Sequence, residues 1–133
     1  MELVERPPTV QEYVDLLRSV GWATPSAEEC GQALAGSLVA VCAVDGGVAV
    51  GMGRLVGDGA LYCFAVDVVV DPRHQGRGTG RAIMARLEAL AVARRLGTRV
   101  DLVAAPDVVS FYRGLGYERR HSEVMRKRLA DSG

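Results

Sequence analysis

The stretch "DPRHQGRGTGR", residues 71–81, has a glycine at every second position near its end and carries three arginines. It directly follows an apolar run, "FAVDVVV", residues 64–70. Because glycine has no Cβ, the main chain at Gly76, Gly78 and Gly80 can come very close to another group. Arginine presents a fixed fork of donors that suits phosphate oxygens. A helical pattern follows, and the first turn of a helix attracts anions. This turn is therefore predicted to bind an anion, most simply a phosphate.

The composition narrows the class of protein. The chain has 133 residues, a length that predicts a single domain, residues 1–133, with a real core. Sixteen basic and sixteen acidic side chains cancel. Proteins that coat nucleic acids or bind membranes through charge need a marked basic excess. Neither nucleic acid nor membrane is therefore an expected partner.

The cysteines and the first residues bear on the compartment. Cys30, Cys42 and Cys63 are odd in number and far apart, without the spacing of metal ligands, so we expect reduced, buried thiols and no metal. The opening residues lack the basic start and apolar stretch of a signal peptide. No apolar run approaches the length of a membrane span. We expect a cytoplasmic protein.

Hydrophobic periodicity predicts an α/β domain with a mixed, mainly antiparallel sheet flanked by helices. "TVQE" (9–12) and "SAEE" (26–29) have the form of capping boxes and open two amphipathic helices. Three strand-like runs follow, and "DGG" and "GDG" connect them as tight turns into an antiparallel meander. These runs are residues 37–45, 48–57 and 60–70.

The second half of the chain is predicted to add one long helix and several short elements. The helix spans residues 79–97, with Ile83, Leu87, Leu90 and Ala91 on one apolar face and Gly97 at its end. The later elements are a short buried strand at 99–105, a brief helix at 106–116 and final strands within 117–129.

Two familiar phosphate motifs do not fit the glycine turn. A P-loop, GxxxxGK[ST], requires lysine and then serine or threonine where this chain has Arg81 and Ala82. The dinucleotide fingerprint, GxGxxG, is followed by a ribose-binding acid about 20 residues on, which Asp101 partly matches. That fingerprint begins at the end of its strand, however, and "DPRHQ" separates strand from glycines here. The antiparallel meander also contradicts a βαβ start.

A third motif fits. "QGRGTG", residues 75–80, resembles the Gln/Arg-x-x-Gly-x-Gly/Ala signature of the GNAT superfamily of acyl-CoA-dependent N-acyltransferases. "FYRGLGYE", residues 111–118, is similar to the FYxxxGF motif that follows it in that superfamily. The predicted order of helices and strands also agrees with that of the superfamily. Together, the two motifs and this order extend the resemblance over about four-fifths of the chain. The pair of motifs at this spacing is more specific than either alone.

The resemblance implies acetyl-CoA as co-substrate. Backbone N–H groups of the turn would hold its pyrophosphate, with Arg81 nearby, and the end of the preceding strand would bond the pantetheine arm as a missing neighbour strand would. The residues expected to bind acetyl-CoA are Val68, Val69, Val70, Gln75, Gly76, Arg77, Gly78, Thr79, Gly80, Arg81 and Phe111. Homodimers are common in the superfamily, so a homodimer is implied as well.

Two residues are candidates for the chemistry. Tyr112 matches the tyrosine that often acts as the acid in this superfamily, and its ordinary pKa near 10 suits protonation of a thiolate. Alternatively, Tyr112 is only an aromatic side chain packed in the core beside Phe111.

Asp67 interrupts an apolar strand, which is costly unless the carboxylate is paired or faces an open site. It is either a base that orients or deprotonates an amine or the partner of Arg54 in a salt bridge. By alternation Asp67 would share a face with Cys63, Ala65 and Val69.

The expected function is transfer of an acetyl group from acetyl-CoA to a primary amine of a small molecule or a protein by direct attack. Two alternatives stay open: a non-catalytic acyl-CoA sensor on the same scaffold, and a dinucleotide-dependent oxidoreductase that binds NAD(H) and not CoA. The general base is Asp67, another carboxylate or water. The sequence does not identify the acceptor.

Overall fold

The computed structural model describes residues 1–130, which form two compact units, from Met1 to Leu102 and from Val103 onward. The first unit holds a four-stranded antiparallel sheet in the order β1-β2-β3-β4. Its strands are β1 (Glu2–Val4), β2 (Val39–Asp45), β3 (Val48–Gly57) and β4 (Cys63–Val70). The helices are α1 (Val10–Ser19), α2 (Ala27–Ala35), α3 (Thr79–Ala93) and, in the second unit, α4 (Val109–Gly114). The predicted α/β class and the meander β2-β3-β4 are confirmed.

Both predicted capping boxes are present. Thr9 caps α1, and the side chain of Glu12 returns a bond to the backbone N–H of Thr9. Ser26 and Glu29 make the same reciprocal pair at α2. Each box satisfies two backbone donors that a helix start leaves open, so these helix starts are determined by a few adjacent residues.

Strand β1 was not predicted from the sequence. It pairs antiparallel with β2, from Glu2 opposite Val44 to Val4 opposite Cys42. Three residues are too few to display an alternating pattern, so only the neighbour strand identifies this segment as part of the sheet.

Four predictions for the later part of the chain differ from the structure. The strand expected at 99–105 is a single parallel bridge between Phe64 and Asp101, made by two backbone hydrogen bonds of 2.9 Å. Among the described residues 117–130 no strand forms; nearly all are exposed, and a strand needs a partner and a buried face. The long helix ends at Ala93 rather than Gly97, because Arg95 adopts a left-handed conformation with φ 53°. The helix expected at 106–116 divides into a 3-10 turn (Pro106–Val108) and α4.

The core lies on both faces of the sheet. On one face, α1 and α2 pack onto β3 and β4 through one buried cluster. Its members are Tyr13, Leu16, Leu17, Cys30, Leu34, Met52 and Val69. On the other face lies α3, whose buried residues are Thr79, Ile83, Met84, Leu87 and Ala91. The three cysteines are free and buried, as predicted.

Glycines in β3 allow α3 to lie directly against the sheet. A Cβ at Gly53 would stand 2.7 Å from Ile83 Cγ2 and 3.1 Å from Leu87 Cδ1. At Gly51 it would stand 3.0 Å from Ile83 Cδ1. The missing side chains therefore set the distance between helix and strand, and with it the position of the turn that opens α3.

We predict that Gly53→Ala destabilises the protein by about 1–3 kcal/mol, because the stiff Ile83 side chain cannot yield without displacing α3. The matched control is Gly31→Ala inside α2, where an added Cβ meets only Val10 Cγ2 at 3.9 Å. Removing a helix-interior glycine there should stabilise by about 0.5–1 kcal/mol. Urea unfolding measures both, and equal effects of the two substitutions would contradict the packing argument.

Candidate functional site

The glycine turn connects β4 to α3. A short 3-10 turn (Pro72–His74) leaves the strand, capped by Asp71, whose side chain accepts from the N–H of Arg73. His74 Nε2 lies 3.6 Å from Asp45 Oδ2 in the β2–β3 hairpin. These contacts hold the first half of the turn to the sheet.

In the second half of the turn, the backbone borders open space. Gly76 and Gly78 have φ of 77° and 79°, a left-handed conformation that favours glycine, and a Cβ at either would meet nothing within 4 Å. Gly78 is the N-cap of α3 and has no side chain to satisfy the first helical amides. The first helical bond is donated by Ala82 to the Gly78 carbonyl, at 3.0 Å.

The amides of residues 76–81 therefore have no acceptor within the described chain. Six successive N–H groups, open space around two of the glycines and the positive end of a helix dipole converge at this point. The arrangement is suited to an anion with several oxygens.

The arginines of the turn are not equivalent. Arg73 binds Asp71 through both Nε and Nη2, at 3.2 and 3.0 Å. Arg77 and Arg81 are exposed and form no ion pair with any described residue. The charge available to a bound anion is therefore that of Arg77 and Arg81.

The end of β4 has one open backbone edge within residues 1–102. The N–H of Asp71 bonds the Val50 carbonyl on β3, so alternation turns Val69 toward β3 and turns Val70 toward the other edge. The Val70 carbonyl accepts from Gln75 Nε2 at 3.0 Å, which ties the turn to the strand end. The outward N–H of Val70 is available to an extended ligand.

Asp67 does not lie on the face that simple alternation predicts. Met52 pairs with Val69 and Arg54 with Val66, so Gly53 alone opposes two residues, Asp67 and Val68. This extra residue is a β-bulge, and Asp67 within it is left-handed with φ 54°.

The bulge changes which residues share a face. Val68 contacts the α3 side, since its Cγ2 lies 3.5 Å from the Cβ position of Gly53, whereas Asp67 is bonded to Tyr13 on α1. Asp67 therefore lies with Val69 on the α1 face. Its predicted grouping with Cys63 and Ala65 was wrong, because one added residue reverses the alternation.

Asp67 is held by two donors. Arg54 Nε and the Tyr13 hydroxyl both bond Oδ2 at 2.8 Å. The salt bridge with Arg54 is the structural alternative that the sequence left open. Arg54 Nη1 in turn bonds the Ala33 carbonyl at 3.1 Å and Ser37 Oγ at 3.3 Å. This carboxylate is thus fixed by residues from α1, from β3 and, through Arg54, from the end of α2.

A narrow cleft lies beside this carboxylate, between α1 and strands β3 and β4. Its lining residues are Pro8, Tyr13, Met52, Gly53, Arg54 and Asp67. Burial, followed by the bond to Asp67, raises the pKa of Tyr13 to about 12. The hydroxyl therefore remains a donor throughout the neutral range.

The second unit carries the aromatic candidates. The rings of Phe111 and Tyr112 meet edge to face at 5.0 Å, and those of Tyr112 and Tyr117 at 5.9 Å. Burial raises the pKa of Tyr112 above its ordinary value. Phe111 remains partly exposed.

Sequence reasoning named Arg54 only as a possible partner and missed Tyr13 as a site residue. Tyr13 lies in the first of the two predicted amphipathic helices, and its side chain packs in the core. The available signal was chemical: a buried tyrosine hydroxyl needs a polar partner, and so does a lone carboxylate in an apolar strand. Their separation of 54 positions hides the pairing.

The described residues 1–130 lack both a cluster of potential metal ligands and a helix that could span a membrane. They contain no group of three or more His, Cys, Asp or Glu side chains that could hold a metal ion. Among the same residues, every helix is too short or too polar to cross a bilayer.

A family model described as an acetyltransferase (GNAT) domain matches residues 35–119, well over half of the chain. This range includes the meander, the glycine turn, α3 and both motifs. The chain belongs to the GNAT acetyltransferase family. The resemblance inferred from the two motifs is thereby confirmed.

Two curated relatives match about half of the chain. The histone acetyltransferase TAP1 of Glycine max is 41% identical over 69 residues, 52% of this chain and 29% of the relative. Serotonin N-acetyltransferase 2, chloroplastic, of Oryza sativa subsp. japonica is 44% identical over 68 residues, 51% of this chain and 34% of the relative. The chain spans about a third or less of the length of these relatives.

Solved structures share the fold over more of the chain. A crystal structure of a protein of unknown function from meticillin-resistant Staphylococcus aureus, described as a probable acetyltransferase, aligns with a TM-score of 0.87 at 24% identity, covering 96% of this chain and 98% of that one. The crystal structure of an aminoglycoside 6'-N-acetyltransferase complexed with coenzyme A aligns with a TM-score of 0.67 at 24% identity, covering 77% and 61%. Both similarities concern the fold.

The raised pKa of Tyr13 has a consequence for stability. A group whose pKa is higher in the folded state stabilises that state below its ordinary pKa, and the contribution is lost as pH rises through the folded value. For Tyr13 the loss lies between about pH 10 and 12. Tyr13→Phe should be less stable than the native chain at pH 8, and the difference should shrink toward pH 12. Urea unfolding at pH 8, 10 and 11.5 measures this, and a constant difference would contradict the assignment.

Proposed function

We propose that this protein is an N-acetyltransferase that transfers the acetyl group of acetyl-CoA to a primary amine of a small molecule or a protein by direct attack. The observation that carries the proposal is the run of unbonded amides at residues 76–81, held open by Gly76 and Gly78 at the start of α3. Membership of the GNAT family supports it. The coenzyme A in the related aminoglycoside acetyltransferase structure supports the choice of anion.

The residues of the first unit fit acetyl-CoA in two ways. The amides of the turn, from Gly76 to Arg81, would hold the pyrophosphate, with Arg77 and Arg81 supplying unpaired charge. The end of β4, at Val68 and Val70, would bond the amides of the pantetheine arm, as an added strand does. Val69 and Phe111 would contribute side chains rather than backbone bonds.

When bound, acetyl-CoA supplies a thioester that an amine can attack. A backbone N–H of Val68 or Val70 would stabilise negative charge on the acyl oxygen. Asp67 would orient the amine or accept its proton, directly or through water. Tyr112 would donate a proton to the leaving thiolate. Burial raises the pKa of Tyr112, and the hydroxyl therefore carries its proton at neutral pH, as it would at its ordinary pKa.

The location in the cytoplasm and the homodimer stay predictions from the sequence. The rice relative named above is chloroplastic, so the family includes proteins of another compartment.

We predict that Gly78→Asn weakens acetyl-CoA binding at least tenfold while the fold is retained. Asparagine tolerates the left-handed conformation, and its side chain would occupy the open space at the turn. Acetyl-CoA at 100 times its dissociation constant should stabilise the native chain by roughly 2.7 kcal/mol. The control is Gly46→Asn in the β2–β3 hairpin, also left-handed and open, with φ 58°.

Thermal unfolding with and without acetyl-CoA separates the two variants. Gly46→Asn should keep the full ligand-induced stabilisation, and Gly78→Asn should lose most of it. If both variants keep it, the turn does not bind the co-substrate.

We predict that Tyr112→Phe lowers kcat by about 10²–10⁴-fold with little change in the KM for acetyl-CoA, because the ring stays and the proton donor is lost. Thiol release from acetyl-CoA with a panel of primary amines gives the rates. Tyr117→Phe, which removes a hydroxyl from the same ring cluster, controls for lost packing or stability.

A stable Tyr112→Phe variant with native kcat, measured where chemistry limits turnover, would make Tyr112 a packing residue. Binding of acetyl-CoA without thiol release for any amine would favour the sensor alternative instead.

A further inference from the structure

The two carboxylate oxygens of Asp67 have different hydrogen-bond contacts. Oδ2 accepts from both Tyr13 and Arg54 at 2.8 Å. Oδ1 has no hydrogen-bond partner among the described residues, and it is not a buried atom. One oxygen is therefore bound by the protein, and the other remains available to a ligand donor.

Both donors are themselves fixed. The Tyr13 side chain belongs to the buried cluster and has few other positions to adopt. The guanidinium of Arg54 bonds in two directions, to Asp67 through Nε and to Ala33 and Ser37 through Nη1. A carboxylate with one oxygen bound by two fixed donors has little freedom to rotate.

The backbone below the carboxylate is unusual as well. A non-glycine residue at φ 54° inside a strand carries a conformational cost, and such costs concentrate at functional sites. The bulge turns the carboxylate onto the face of the cleft that Pro8 and Met52 also line. Apart from the Asp67–Arg54 pair, which is neutral as a whole, the lining residues carry no charge.

We propose that Tyr13 and Arg54 are positioning residues, which hold Asp67 so that its free Oδ1 binds the amino group of the acceptor. This inference rests on the proposed function, since it assigns how that site binds its acceptor. The bond formed is a hydrogen bond from the acceptor N–H to Oδ1. Tyr13 and Arg54 act through Asp67 and touch no substrate.

The kinetic test uses Tyr13→Phe and Arg54→Lys in the full chain. Lysine keeps the positive charge but lacks the planar fork that bonds Asp67 and the α2 end together. Each variant should lower kcat/KM for the amine about tenfold and leave the KM for acetyl-CoA unchanged. A merely structural role would lower Tm without this selective effect on the amine.

A double-mutant cycle tests whether the effect passes through Asp67. Asparagine at position 67 tolerates the left-handed backbone but removes the anionic oxygen pair. Tyr13→Phe should cost about tenfold in the native background and less than twofold in the Asp67→Asn background. Equal costs in both backgrounds would overturn the proposal and leave the acetyltransferase assignment intact.

A binding experiment gives a readout that does not depend on turnover. The probe is 2-phenylethylamine, with 2-phenylethanol as the uncharged control, added to ¹⁵N-labelled protein while the Arg54 Nε–H resonance is followed by NMR. The proposal is supported if the amine shifts this resonance saturably, the alcohol does not, and the affinity for the amine is at least tenfold weaker in Tyr13→Phe. This result would stand even if no amine is acetylated. No perturbation by the amine, or equal perturbation by the alcohol, overturns it.

Discussion

The contact on which the site depends is the pairing of one strand residue, Gly53, with two, Asp67 and Val68. A regular strand would place Asp67 on the face of Cys63 and Ala65, away from Tyr13. The bulge instead turns its carboxylate toward α1, where Tyr13 and Arg54 compensate the cost of burying a charge. The same extra residue sets which backbone groups of β4 face the open edge.

A second close contact couples the sheet to the glycine turn. Gly53 also lies against Ile83 and Leu87, so α3 sits as near to the strand as its backbone allows. The start of α3 is consequently fixed relative to the end of β4, and Gln75 adds a bond from the turn to the Val70 carbonyl. Packing at a single strand position thus places the open amides of the turn beside the end of β4.

Much of the fold was readable in the sequence because it depends on neighbouring residues. The capping boxes at Thr9 and Ser26 involve residues three positions apart. The left-handed Gly76 and Gly78, and the unbonded amides that follow them, also depend on local backbone geometry. By contrast, residues 117–129 have residue types that favour a strand, but no neighbouring strand pairs with them. Strand β1 pairs with β2, but it is too short to be predicted from its own sequence pattern.

By itself, then, the sequence determined most of the elements, the open glycine turn and the family, since these follow from patterns within short windows. Only the tertiary structure decided the face on which Asp67 lies and the donors that hold it. A bulge is a property of two paired strands and cannot be seen in one. The bond from Tyr13 to Asp67 joins residues 54 positions apart, and it exists because α1 packs across the bulged strand.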